Sequence, residues 1–198
     1  MNRKFLIGLA VVIGVILLGV LFFGGIYNSL VQSEEKVSEA WAQVENVYQR
    51  RLDLIPNLVE TVKGYAAHER ETLDAVIEAR SKATQINIPG VVFNHPESLT
   101  QFEQIQQSLS SALSRLLAVV EQYPDLKANQ NFLALQSQLE GTDNRIAVVR
   151  RRFNEVAREF HTQLRVFPNS LVARLGGFQR KSYFAADEGA RVAPKVKF

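Results

Sequence analysis

The sequence contains no cysteine, which excludes disulfide bonds, thiolate metal sites, cysteine nucleophiles and thioester-linked lipid. Proline is sparse, at 6 of 198 residues. Strand-like alternation is missing, and so are a Gly-rich phosphate loop, a nucleophile elbow and paired carboxylates in a fixed frame. The three histidines, His68, His95 and His161, lie far apart in the chain. His68-Glu69 opens like a zinc-protease helix, but the position four residues after His68, which must supply the second ligand, is Thr72. These absences argue against an enzyme and ask for neither metal nor cofactor.

What the chain does have is an unbroken apolar run from Phe5 to Ile26, behind the cationic start Met1-Asn2-Arg3-Lys4. As a helix, its 22 residues reach roughly 33 Å, enough to cross a hydrocarbon core of about 30 Å. The run is longer than the apolar region of a secretion signal, and no small-x-small cleavage site follows it. Residues 1–4 therefore read as a short cationic N-terminus and 5–26 as a permanent single-pass transmembrane helix. Arg3 and Lys4 on one side, against Lys36 on the other, place the N-terminus in the cytoplasm and the rest of the chain outside it. Ala10 and Gly14 form one small-xxx-small pair, which leaves a homo-oligomer open.

The remaining residues carry a helical period throughout. Val37, Trp41, Val44, Tyr48 and Leu52 define a first helix over about 28–52, free to continue from the transmembrane segment. Asp53-Leu54-Ile55-Pro56 reads as a turn or kink, because proline is normally tolerated only in a helix's first turn. A second helix carries Leu58, Val62, Tyr65, Leu73, Val76 and Ile77, to about Ala83. Asn87 to Pro96 is a loop. A third helix runs from Pro96 to Tyr123, and a fourth, about forty residues long, carries Phe132, Leu135, Leu139, Thr142, Ile146, Val149, Phe153, Val156 and Phe160. Its length implies an overhang or a bend, with Gly141 the best place for one. The expected fold is all-α: a transmembrane helix, an antiparallel four-helix bundle over 27–167, and a basic, loosely structured tail over 168–198.

Polar residues that interrupt the apolar stripes mark the candidate site. Arg50, Arg51, His68, Glu69, Glu121, Asn144 and Arg145 are expected to form a register-fixing polar network or a partner site, because charges at half-buried positions need pairing. A competing reading gathers Arg51, His68 and Glu69 into the polar site of an enzyme or of an accessory factor to a membrane protease. Charge is unevenly spread: residues 150–198 hold 11 Lys/Arg against 4 Asp/Glu, and residues 5–149 hold 10 against 16. Anionic lipid is the nearest partner for a basic tail on an anchored chain, ahead of nucleic acid. Arg165, Arg174, Arg180, Lys181, Arg191, Lys195 and Lys197 are the candidate membrane-surface contacts. A protein partner is expected as well, of unspecified identity.

Long stretches of the chain resemble the LemA family. The resemblance rests on Arg50-Arg51-x-Asp53-Leu54-Ile55-Pro56-Asn57-Leu58-Val59-Glu60, on Tyr65-x-x-His68-Glu69, on Glu121-x-Tyr123-Pro124-x-Leu126-Lys127-x-Asn129, and on Asn144-Arg145-Ile146-Ala147. Asp143 stands where Glu is common, and Phe153 and Phe160-His161 stand where Tyr-Asn pairs are usual. The resemblance implies a bacterial cell-membrane protein with an N-terminal transmembrane helix, a four-helix bundle and no established enzymatic activity; a magnetosome-associated member exemplifies a membrane-organising role. Family descriptions place the short N-terminus outside the cell, opposite to the charge count.

Overall fold

In the computed structural model, which describes residues 3–85 and 92–185, the apolar run and the first half of the helical body are one continuous helix, α1 (Arg3–Lys63). Its first part is long and apolar enough to cross a membrane, and none of that apolar window is buried among the described residues. The chain turns over 64–69, where Tyr65 and Ala66 N–H groups both bond to the Val62 carbonyl, and returns as α2 (Arg70–Gln85). A short 3-10 turn (Val92–Asn94) leads into α3 (Pro96–Val120), which starts with proline in its first turn. A single turn, α4 (Pro124–Lys127), precedes α5 (Gln130–Arg165), and α6 (Asn169–Leu175) follows. Among the described residues there is no strand.

Cross-contacts set the directions. Arg80 of α2 and Asp143 of α5 reach Leu52 and Arg51 of α1, while Ser110 of α3 lies at the same level. Thus α1 and α3 run one way and α2 and α5 the other. The core has two parts along this stack. At the end remote from the apolar run, Ile55, Leu58, Val62, Val76, Leu116 and Phe132 are buried together. Nearer the run, Trp41, Phe93, Phe102, Phe153 and Phe184 make an aromatic cluster.

The turn between the first two helices lies at 64–69, not at Asp53–Pro56. Pro56 sits inside α1, and its missing N–H leaves the Leu52 carbonyl without its usual donor. The Arg80 guanidinium supplies one, with Nε 3.0 Å from that oxygen. An unbroken α1 also removes the expected overhang, since α5, at 36 residues, runs beside a comparable length of α1. Tyr65 and Ile77, assigned to the core by spacing, are 46% and 50% exposed. Tyr65 lies in the displaced turn itself, and Ile77 follows Val76, which takes the inward position.

The C-terminal segment is more ordered than its composition suggests. Val172 and Ala173 of α6 pack on Leu30 of α1. Residues 178–185 then run extended into the body, where α2 is too short to cover α1 and α3. Phe184 stacks on Trp41 at 5.7 Å with 14° between the rings, and meets Phe153 edge-on at 5.5 Å.

Candidate functional site

The polar residues expected to form one network separate into two groups, and a third polar group lies in the tail. The first lies at the far end. Glu69, the last residue before α2, accepts a hydrogen bond from the Tyr123 hydroxyl at 2.9 Å. That bond to a carboxylate raises the Tyr123 pKa, because it favours the protonated phenol. Beside it the Asn129 amide does two jobs. Its oxygen caps α5 by accepting from the Phe132 N–H at 3.0 Å, and its NH2 donates to the Tyr65 hydroxyl at 2.8 Å. Glu121 pairs with Lys127 across the α3–α4 turn. These bonds tie the two far-end connections, 64–69 and 121–129, into one polar surface. His68 is exposed beside it.

The second group lies midway along α1. Arg51 is buried, with Nη2 2.9 Å from the Ser110 hydroxyl and Nε 3.2 Å from Asp143 Oδ1, at ion-pair distance but off the line of a hydrogen bond. Burial pushes the Asp143 carboxyl up and Arg51 pulls it back down, with burial the stronger. Twelve residues of α1 separate Arg51 from Lys63, about 18 Å of helix. A single site of Arg51, His68 and Glu69 is therefore divided by the fold. Arg50, Asn144 and Arg145 are exposed on the surface, so they do not join either group. Their neighbours in sequence, Arg51 and Ile146, take the inward positions.

The third group was hidden in the tail. Lys181, expected at a membrane surface, is only 6% exposed, a correction that follows from the inward course of 178–185. Its Nζ lies 2.6 Å from Glu34 Oε1 and 2.8 Å from Asn94 Oδ1, and over the Phe93 and Phe160 rings. The Lys181 N–H donates to His161 Nε2 at 2.8 Å, and His161 Nδ1 lies 2.6 Å from the Tyr183 hydroxyl. Burial, then the Arg180 charge, lowers the His161 pKa. Asn154 grips the Phe184 backbone with both ends of its amide, at 2.9 and 3.0 Å. Arg150 pairs with Glu103 at 2.6 Å, and its guanidinium also lies over the Phe184 ring. No periodicity announces such a segment; Asn154 and Arg150, one turn apart on α5, were its only trace in the sequence.

Of the other tail cations, Arg165, Arg174 and Arg180 are exposed, and Arg191, Lys195 and Lys197 lie outside the described residues. A shallow groove of about 220 Å³ runs between α2 and α3, lined by Ala75, Ala79, Lys82, Ile105 and Arg115, and touches none of the three polar groups. Among the described residues no three His, Asp or Glu side chains converge on a point that could hold one metal ion.

Together these features define an all-helical protein in which one candidate membrane-spanning segment continues directly into the core. The chain belongs to the LemA family, whose pattern matches residues 40–198. It is 24% identical over 180 residues to protein LemA of Metamycoplasma hominis, covering 90% of this chain and 78% of that protein. It is 26% identical over 174 residues to magnetosome protein MamQ 2 of Paramagnetospirillum magneticum and to magnetosome protein MamQ of Magnetospirillum gryphiswaldense. In both cases the match covers 80% of this chain and 64% of the relative, so the chain spans just under two thirds of their length.

Proposed function

We propose that this chain is a single-pass protein of the bacterial cell membrane, with its body outside the cytoplasm, that binds and scaffolds a protein partner and catalyses no reaction. The observation that carries this reading is the continuity of α1 from the apolar run to Lys63. Past Ile26 the helix has 37 residues left, so its far end stands roughly 55 Å from the end of the run. A surface of Tyr65, Glu69, Glu121, Tyr123 and Lys127 is held there on a rigid strut. Its side chains hydrogen-bond to one another and to the two connections, an arrangement suited to presenting a fixed polar face. Two of the relatives are named for a cellular structure, the magnetosome, and not for a reaction.

The test is photo-crosslinking of the full-length protein in its native membrane, with the reactive residue placed at Tyr65 and, as a control on the flank, at Val148. Discrete adducts from position 65 and few from 148 are expected. Specific turnover by the purified protein, abolished by Glu69→Gln with an unchanged melting temperature, would sink the proposal in favour of an enzyme.

A further inference from the structure

The exposed face of α6 is an unexplained feature of the near end. Val172 and Ala173 are turned onto Leu30, with Ile26 packed beside them, so α6 lies beside the last turn of the apolar run. Phe178 closes over Tyr27, with the rings 5.5 Å apart. On the other side, Phe167 and Leu175 are 85% and 81% exposed, and Leu171 is 47% exposed. Leu171 and Leu175, four apart, share one side of α6, and Phe167 lies in the turn just before it. In water such a set of large apolar groups is costly, and nothing among the described residues covers them.

We propose that this face is a second membrane contact: α6 lies in the headgroup layer, with Phe167, Leu171 and Leu175 dipping toward the acyl chains. Two observations choose lipid over a protein partner. The height is fixed, because α6 is docked where the apolar run of α1 ends, and that level is the bilayer boundary if the run spans. Charge is fixed too, since Arg165, Arg174 and Arg180 are all exposed around the apolar set, in the pattern of an interfacial helix on an anionic surface. Tyr27, 45% exposed at the same level, is an aromatic of the type that collects at such boundaries. The inference rests on the anchored reading above and adds the residues through which the body itself meets lipid. It also fixes attitude, because a helix docked on α1 and seated in the headgroups resists tilting of the strut toward that side.

Because the chain has no cysteine, single-cysteine variants can carry an environment-sensitive fluorophore without a background. Full-length protein labelled at Leu171→Cys, Leu175→Cys, Val148→Cys or Val15→Cys is reconstituted into nanodiscs of phosphatidylcholine with phosphatidylglycerol. Quenching by lipids spin-labelled near the headgroup is then compared. Strong quenching is expected at positions 171 and 175, at least threefold above position 148, and it should fall when Arg174→Glu and Arg180→Glu are combined. At position 15 quenching should come from acyl-chain labels, which reports the anchor separately. Quenching at 15 with none at 171 or 175 would overturn this inference and leave the anchor standing. No quenching at 15 would overturn both. Blue-shifted emission at 171 and 175 with energy transfer between copies but no lipid quenching would assign the face to a second copy and overturn the lipid proposal.

Discussion

Lys181 and His161 show how single residues hold the C-terminal segment. Lys181 is nearly inaccessible, and Glu34 is its only carboxylate partner among the described residues. Removing one member of a buried pair costs far more than the pair itself contributes, because the remaining charge is stranded. Glu34→Ala should therefore destabilise by about 3 kcal/mol, and Lys181→Met, which keeps the apolar stem and removes the charge, by clearly less; chemical denaturation of both variants checks the order. His161 gives the same segment a pH dependence. Its Nε2 accepts the Lys181 N–H, so a protonated ring would set two donors against each other, with Arg180 and Lys181 close by. With a folded pKa below the unfolded value of 6.5, the histidine contributes its full stability above pH 6.5 and loses it as pH falls through the folded pKa. Melting temperatures should drop between pH 7.5 and 5.5, and less so in His161→Gln, whose amide oxygen can accept the Lys181 N–H without titrating.

Among the elements, α1 carries the clearest test. If Arg80 replaces the donor that Pro56 removes, the two residues are coupled. Arg80→Met should cost about 1–3 kcal/mol in the native sequence by stranding the Leu52 carbonyl. In a Pro56→Ala background the restored N–H bonds to that carbonyl, and the same change should cost little; equal costs in both backgrounds would refute the coupling. The extended segment is testable in the same way. Phe184→Ala should destabilise by about 3–5 kcal/mol, as for other large-to-small changes in a core, and Trp41, the sole tryptophan, should report it as a red-shifted emission. Helix content and the deepest stripe residues, such as Phe132, Leu139, Ile146, Phe153 and Phe160, were legible because a period of 3.6 needs only the chain itself. The sequence leaves a turn or a kink open at Pro56, because Arg80, which lets α1 run through it, lies 24 residues away on another helix. Residues 178–185 were misread because an extended chain held by Asn154, Arg150 and His161 has no period to detect. Of the candidate site residues, Glu69 and Arg51 are hydrogen-bonded in separate groups, while Asn144 and Arg145 are exposed, since a polar residue beside a core position need not be buried.

For the whole molecule, if the apolar run spans the bilayer as proposed, the charge count and the resemblance give opposite sides for the body, and the continuity of α1 makes the answer easy to obtain. A cysteine introduced at the exposed Glu60 in the far half of α1 stands well clear of the bilayer, and the body cannot fold back on a flexible joint. A membrane-impermeant maleimide added to intact cells should label it if the body is external, as the Arg3 and Lys4 bias requires. Labelling only after the cells are opened would reverse the assignment.

The aromatic cluster also has a history in time. Trp41 is made well before Phe184, and Glu34 and Lys181 stand 147 residues apart. At about 5–20 residues per second, the ribosome delivers the second half of these contacts roughly 7–30 s after the first. Helix α2 can fold back on α1 long before Phe93, Phe102 and Phe153 receive the ring that completes their packing. Any chain that stops short of Phe184 is left with an open aromatic slot at Trp41. The segment that carries Phe184 therefore completes the core only after every helix that lines it has been made.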